Sequence, residues 1–448
     1  MKMKKHIHRR FTPVQILALG FAVVIVIGAI LLMLPISSQS GQRTPFLDCL
    51  FTATSAVCVT GLVVVDTGTY WTYFGKTVIM LLIEIGGLGF MSFATLLALL
   101  VGKKITLKER LVMQEALNTF SIQGLVKMAR YVLTFTFSIQ GAGALLLSTQ
   151  FIPKYGLAKG LYYGIFHSVS AFCNAGFDLF GNFSSLTSVY DNPVIILVIA
   201  SLIIIGGIGF YVWYEIYHYK GHRKLSTHSK LVLSATALLL SVGTVLMFIF
   251  ESRNPGTMGN MTLGNKILSS FFAAVTPRTA GFNSISTSDM TMAGNFLTII
   301  LMFIGGASGS TAGGIKITTA GVLIMTVVCV VKGKPDTEIN KKRIAKEIVY
   351  RALAITIISL TLVITVTMIL SITEVKVPFE YYMYEATSAF ATVGLTLGLT
   401  TKLTTAGKIV VLLTMYAGRV GPLTLATAFA RKLKNSSIKY PEEKILVG

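Results

Sequence analysis

Four stretches of this chain end on a glycine in the same local setting: FTATSAVCVTG at Gly61, FHSVSAFCNAG at Gly176, FFAAVTPRTAG at Gly281 and YEATSAFATVG at Gly394. Each opens on an aromatic residue, and three carry Ser-Ala at the same place: Ser55-Ala56, Ser170-Ala171 and Ser388-Ala389. A second marker follows each at a similar distance: GGLGF from Gly86, GGIGF from Gly206, GGASG from Gly305 and GRVGP from Gly418. Two matched markers recurring just over a hundred residues apart describe one module used four times, and a repeat decides architecture before any local feature does. The units are read as 1–102, 103–222, 223–333 and 334–431, followed by a tail at 432–448.

The chain has 448 residues, 53% of them hydrophobic and only 13% charged, with a mean hydropathy of +0.72. That is too apolar for a soluble globular chain and indicates a membrane protein. Eight apolar runs are long enough to span a bilayer: Pro13–Pro35, Thr77–Val101, Tyr131–Phe151, Pro193–Tyr214, Leu231–Phe250, Phe296–Val331, Ala352–Ile372 and Ile409–Ala430. No small-residue cleavage pattern follows the first, so it is read as a retained span rather than a signal peptide. Cys49, Cys58, Cys173 and Cys329 show neither CxxC nor His-linked spacing, so no metal site or disulfide framework is expected.

The net charge of +21 would raise nucleic acid as a partner on a soluble protein. Here most basic residues cluster in five segments, at 2–10, 103–130, 220–230, 332–351 and 431–444, between which lie the glycine windows. The excess of Lys and Arg on cytoplasmic loops places all five inside, both termini included, and brings every window in from outside. No nucleic-acid partner is expected. Membrane lipid is the surrounding phase.

Each window's apolar stretch is too short to cross and suits a re-entrant half-helix. The loop after it is extended backbone at membrane depth, tolerated only where it lines water or is buried in protein. Four such loops about one axis would aim carbonyl oxygens at a common centre, replacing an ion's water shell. The C-terminal end of each half-helix adds partial negative charge. The fold expected is therefore an all-α polytopic membrane protein: four span–pore-helix–span units, eight transmembrane helices, around a pseudo-fourfold pore.

The same residues carry a family likeness. VTGL at 59–62, NAGF at 174–177, TPRTAGF at 276–282 and TVGLT at 392–396, with the IGGLGF, IGGIGF, GGASGSTAGGIK and GRVGPLT stretches, resemble the Trk/Ktr/HKT superfamily of potassium transporters. The likeness runs from Pro13 to Gly448, and the chain starts directly at the first span, which resembles the bacterial Ktr-type membrane subunit. The resemblance implies potassium uptake across the cell membrane, with sodium as an activating ion and no chemistry catalysed. Members with serine in the first window favour sodium and members with glycine in all four favour potassium; here all four are glycine. The filter implied is Val59, Thr60 and Gly61; Asn174, Ala175 and Gly176; Thr279, Ala280 and Gly281; Thr392, Val393 and Gly394. Because the four walls differ in sequence, ion binding is expected to be looser than in a tetrameric channel.

The sixth run is interrupted by small and polar residues, and an unwound stretch at that depth must border water or protein. The family places an intramembrane gating loop there. Gly305, Gly306, Ala307, Ser308, Gly309, Ser310, Thr311, Ala312, Gly313 and Gly314 match it, with Lys316 at its lower end or snorkelling to the cytoplasmic interface. Arg419 stands where the other markers have glycine. An intramembrane charge is a functional-site hypothesis by default, and this one is expected to project into the pore and hold the loop through carbonyls. Glu84 is a cavity charge where the family has an amide. It either attracts potassium, pairs with Lys316 or Arg419, or is protonated and silent. Arg278, inside the third window, is read as a buttress behind the filter. Asp66, Asp178, Asp191 and Asp289 lie on the outer side, either concentrating cations or merely solvated.

The segment 103–118 mixes basic and apolar residues at helical spacing, suiting a membrane surface or a docking protein, and the same choice applies to 334–346. The glycine pairs lie within apolar spans rather than after a strand, so this chain binds no nucleotide or other cofactor itself. The resemblance implies a homodimer seated on a separate cytosolic ring of RCK/KTN-type regulatory subunits that bind ATP or ADP. Two other classes were weighed. A proton- or sodium-coupled secondary transporter of a small solute is disfavoured because all four units enter from one side. A membrane enzyme is disfavoured because the spans carry no metal-ligand cluster or nucleophile–base pair, and His167 at the second window is read as structural.

Overall fold

The computed structural model describes residues 12–89, 110–114, 125–219, 224–374 and 376–421, with 423, 441, 443, 445 and 446. The basic segment at 2–10, most of those at 431–444 and 103–124, the ends of the second and eighth apolar runs and most of the tail lie outside the described residues.

The first helix, α1 (Pro13–Met33), begins on a capping box. Gln15 N donates to Thr12 Oγ1 at 3.3 Å while Thr12 N donates to Gln15 Oε1 at 3.1 Å. Pro13 sits where its missing N–H is not needed. A shorter helix, α2 (Phe46–Cys58), follows, then an extended loop, then α3 (Tyr73–Leu88). The same order recurs as α4 (Leu125–Tyr155), α5 (Leu157–Phe172) and α6 (Pro193–Ile208), the last continued by α7 (Phe210–Tyr217). It recurs as α8 (Thr227–Glu251), α9 (Leu263–Val275) and α10 (Met292–Phe303), continued by α11 (Ile317–Val331). It recurs finally as α12 (Lys346–Thr373), α13 (Phe379–Ala391) and α14 (Thr405–Val420).

The third helix of each set starts the same way. Thr72, Asn192, Thr291 and Thr404 are the N-caps, each accepting backbone N–H groups of its own first turn. Each is also tied to the end of the long helix of its set. Thr72 Oγ1 donates to Ile36 O (2.7 Å) and Asn192 Nδ2 to Gln150 Oε1 (3.1 Å). Thr291 N and Oγ1 donate to Glu251 Oε1 (2.9 and 2.7 Å), and Thr404 N and Oγ1 to the Glu374 carboxylate (2.8 and 2.7 Å). Glu251 and Glu374 are buried, so these charge-assisted bonds at a helix N-terminus are what make their burial tolerable.

The sets close into a ring. α3 contacts α5, α6 contacts α9, α10 contacts α13 and α14 contacts α2. The last junction carries two further ties: Lys408 Nζ to Asp48 Oδ1 at 2.7 Å and Tyr416 hydroxyl to Ala18 O at 2.7 Å. The short helices are buried at the centre, while Val23, Ile27, Leu238, Val245, Ile357 and Ile364 of the long helices face outward, as a lipid environment requires.

Among the described residues, four helical segments are long and apolar enough to cross a bilayer: Gln15–Met33 within α1, then α4, α8 and α12. α6 with α7 makes a fifth if a bent pair is one span. One sequence expectation changes. The run Pro193–Tyr214 is not one straight span, because the chain bends 93° between Ile208 and Phe210. Gly209 takes φ 99° there, a conformation open essentially to glycine alone. The segment 334–346, read only as facing a membrane surface or a docking protein, contains a two-stranded hairpin, β1 (Glu338–Ile339) and β2 (Lys342–Arg343). Asn340 and Lys341 both have positive φ, the conformation of a two-residue hairpin turn. The long run Phe296–Val331 is broken as read, its helices stopping at Phe303 and resuming at Ile317.

Thr404→Val should lower stability by about 2 kcal/mol, since it removes a cap and leaves the Glu374 carboxylate short of a donor. Thermal unfolding in detergent measures it. Thr404→Ser should behave as wild type.

Candidate functional site

Each short helix ends in a turn that L-residues rarely adopt. Val59, Asn174 and Thr392 are left-handed (φ 59°, 60° and 51°), as is Thr279 (φ 70°). In three of the four this is a six-residue helix-terminating motif. Thr60 N donates to Ser55 O (2.8 Å) and Val59 N to Ala56 O (3.1 Å), and the pairs Ala175–Ser170 with Asn174–Ala171 and Val393–Ser388 with Thr392–Ala389 repeat it. Glycine usually fills that left-handed place, so valine, asparagine and threonine there store strain of about 1–3 kcal/mol each, a pattern concentrated at functional sites. The third loop differs: Ala280 N donates to Thr276 O at 2.9 Å, because Pro277 and Arg278 follow and the hydroxyl residue stands one place later.

A hydroxyl behind each loop fixes it. Ser55 Oγ accepts from Gly61 N (3.0 Å) and Ser388 Oγ from Gly394 N (3.1 Å). Ser170 Oγ donates to Phe177 O (2.7 Å), and the Thr276 hydroxyl donates to Phe282 O. These four supports were missed as functional residues from the sequence. The repeated Ser-Ala pair was visible in three windows, but the displaced Thr276 hid the fourth.

The four loops meet one another in cyclic order. A Cβ on Gly61 would lie 2.5 Å from Ala175 O, and one on Gly176 would lie 2.8 Å from Ala280 O. Gly281 faces Val393 O, and Gly394 faces Thr60 O, more closely still. All four glycines have positive φ (91°, 69°, 80° and 93°), so a side chain at any of them strains the backbone and displaces the next loop. The four line a single cavity of about 360 Å³, whose wall also includes Asp66, Asp178, Asn283, Thr287 and Thr396 and no Lys or Arg.

The second marker has its own geometry. Gly86, Gly206 and Gly418 pass the C-terminal carbonyls of Val57, Phe172 and Phe390 so closely that a Cβ would overlap them. In the third set this place belongs to the break at 304–316. Gly305 N donates to Ile315 O (2.9 Å) and Ile317 N to Gly306 O (3.0 Å), which closes the segment into a loop. A Cβ on Gly313 would strike the Thr392 hydroxyl, so the loop lies directly against the fourth glycine loop, and Gly305 lies against Thr279. Thr311 Oγ1 donates to Phe172 O at 3.2 Å.

Arg419 reaches this loop. Its guanidinium donates to Thr311 O, to Gly86 O and, at 3.3 Å, to Gly87 O, joining loop, α14 and the end of α3. Lys316 turns inward, with Nζ donating to Ala312 O at 2.6 Å, rather than outward to an interface. Both line a second cavity of about 230 Å³, with Ser310, Ala312, Gly314 and Gly89.

Glu84 is placed elsewhere. It lines neither cavity. Its Oε2 accepts from Gln140 Nε2 (2.8 Å) and Cys173 Sγ (3.4 Å), and Oε1 has no partner. It forms no ion pair with Lys316 or Arg419, whose donors are taken by carbonyls. Arg278 is buried and points away from the loops to Thr236 on α8 (3.2 Å). His167 bridges Tyr163 O (2.7 Å) and Leu179 N (3.2 Å). Among the four outer aspartates only Asp66 and Asp178 line the first cavity. Among the described residues no cluster of three His, Cys, Asp or Glu could hold a metal.

A family model described as cation transport protein, TrkH, matches residues 2–440. The chain belongs to the TrkH family. It is 47% identical to the Ktr system potassium uptake protein B of Bacillus subtilis, over 98% of this chain and 97% of that protein. It is 46% identical to the potassium/sodium uptake protein NtpJ of Enterococcus hirae, over 100% of this chain and 99% of that one. Its fold matches the crystal structure of the potassium transporter TrkH from Vibrio parahaemolyticus with a TM-score of 0.73 at 17% identity, covering 95% of this chain and 87% of that one.

Asp66 is fully engaged, by Thr69 N and Oγ1 (both 2.7 Å) and Phe183 N (2.7 Å). Asp178, two residues past Gly176, is held by Phe180 N (3.0 Å), and desolvation together with nearby Asp66 pushes its carboxyl up to about 7. A raised carboxyl is charged above that value and loses its charge as pH falls through it. Cation uptake at subsaturating concentration should therefore fall roughly two- to fivefold when external pH drops from about 8 to about 6. Asp178→Asn should be slow at both pH values. Initial uptake rates against pH check this.

Proposed function

We propose that this chain is the ion-translocating subunit of a potassium uptake system in the cell membrane, moving the ion passively through a gated pore. The observation that carries this reading is the closed ring of four glycine loops around one cavity. The substrate is taken from relatives named for potassium and for potassium/sodium uptake. Carbonyls of Val59, Thr60 and Gly61 and their counterparts in the other three loops replace the ion's hydration shell. The helix C-termini behind them add negative potential.

Below the filter, residues 305–314 are the gate. Arg419 has two effects there: its charge raises the barrier to cations, and its bonds hold Thr311. Opening moves the loop off the pore and breaks that tie. Four units with eight spans, both termini inside, make up the protomer. The protomer works as a homodimer on a cytosolic ring of nucleotide-binding RCK/KTN subunits, with sodium as activator, a reading that fits a relative named as one protein of a Ktr system.

The test is potassium uptake in cells lacking their own uptake systems, with the regulatory ring co-expressed. Wild type should restore uptake, and Gly61→Ser should lose at least about tenfold of its preference for potassium over sodium, because the new side chain meets Ala175 O. Unchanged preference would place selectivity elsewhere. Deleting several residues between Gly305 and Gly314 should raise flux and weaken nucleotide control; unchanged flux in a well-expressed deletion would remove the gate from this loop.

A further inference from the structure

Helix α7 leaves α6 at the 93° bend, and that bend is the seat of the 305–316 loop. Phe210 N, the first amide of α7, donates to Gly309 O at 2.9 Å. Ala307 N donates to Gly207 O at 2.9 Å and Thr311 N to Gly206 O at 3.4 Å. Trp213 Nε1 donates back to Ile205 O at 2.8 Å and locks the bend. Behind it, Ile208 and Val212 form one apolar cluster with Ala307 and Ile317 of the loop region and Val232 of α8.

The far end of α7 carries Glu215. Its Oε2 accepts from Ser226 N (3.2 Å), Ser226 Oγ (2.8 Å) and Ser229 Oγ (2.5 Å), and the Tyr211 hydroxyl also bonds the carboxylate. Ser226 is the N-cap of α8 and already accepts from Ser229 N at 3.2 Å. The cap does not need Glu215. The carboxylate instead ties the N-terminus of α8 to another helix, where its charge is favoured. Ser229 is fully buried, and its hydroxyl is aimed at Glu215.

We infer that Glu215 is a positioning residue for the gate: by latching α7 to α8 it holds the seat on which the loop rests when closed. α7 is then a short lever, hinged at Gly209 and latched at Glu215. A displacement of α7 relative to the Ser226 end of α8 is what reaches the loop. The inference rests on residues 305–314 being the gate. Both ends of the lever are physical contacts on one rigid element, which is what coupling between two sites requires.

The experiment compares potassium uptake by wild type, Glu215→Leu and Glu215→Gln, each in the full chain and in a chain shortened within 305–314. Glu215→Leu should raise Vmax at least about threefold with KM unchanged, since the filter is untouched, and Glu215→Gln, keeping one acceptor oxygen, should fall between. In the shortened chain Glu215→Leu should add nothing. An unchanged or lower Vmax at normal membrane abundance would overturn the latch, as would an equal rise in both backgrounds. If shortening the loop leaves flux unchanged, the gate reading itself fails and takes the latch with it. Should Glu215→Leu not reach the membrane, Ser229→Ala removes a single donor and should raise Vmax about twofold; no rise would again overturn the latch.

Discussion

The structure depends on the approach of four backbones to one another where no Cβ fits. Gly61, Gly176, Gly281 and Gly394 each face the next loop's carbonyl, and the fourth faces the first. A side chain there pushes two loops apart and changes the geometry of the ring at that point. The surrounding architecture serves this approach. Short helices end in left-handed residues, hydroxyls behind them pin the loops, and Gly86, Gly206 and Gly418 let the flanking helices run against the short helices' last carbonyls. The strain in Val59, Asn174, Thr279 and Thr392 persists because the neighbouring loops leave no other conformation.

The third set breaks the pattern in two places, and both concern the same region. Its window carries Pro277 and Arg278, so its loop is held by Thr276 one position later than the serines of the other sets. Its last helix is interrupted, and the interruption lies against Thr279 and Thr392 of the glycine loops. Fourfold regularity elsewhere makes the exception stand out, and it is the segment proposed above as the gate. Arg419 is the matching exception in the fourth set, standing where glycine stands in the first two, and its guanidinium reaches the interruption. Outside this core the charged residues have ordinary work: Glu251 and Glu374 anchor helix starts, and Lys408 with Asp48 helps close the ring.

The ring was legible in the sequence because each filter glycine must satisfy a backbone and a space requirement at once, and four copies of one requirement leave four copies of one pattern. The helical class followed from hydropathy, and the break after Phe303 from glycine and serine in an apolar run. Other features were not legible. The turn at Gly209 reads in sequence like the GG-x-G of its neighbours, and only the loop seated on it shows what the bend serves. For Glu84 the sequence leaves three roles open, because its distance to Lys316 and Arg419 cannot be read along a chain; Gln140 and Cys173, far away in sequence, bond its carboxyl. The hairpin at 338–343 was not legible because its strands are two residues each and its turn rests on positive φ angles at Asn340 and Lys341 rather than on glycine.

The central claim is that one ion pathway runs through the centre of the four loops. Anomalous scattering from thallium or rubidium, exchanged for potassium in crystals of this protein, tests it most directly. The account predicts density on the axis of the ring, flanked by the carbonyls of Thr60, Ala175, Ala280 and Val393. Density confined to other places, such as the Glu84 pocket, with an empty axis would contradict it.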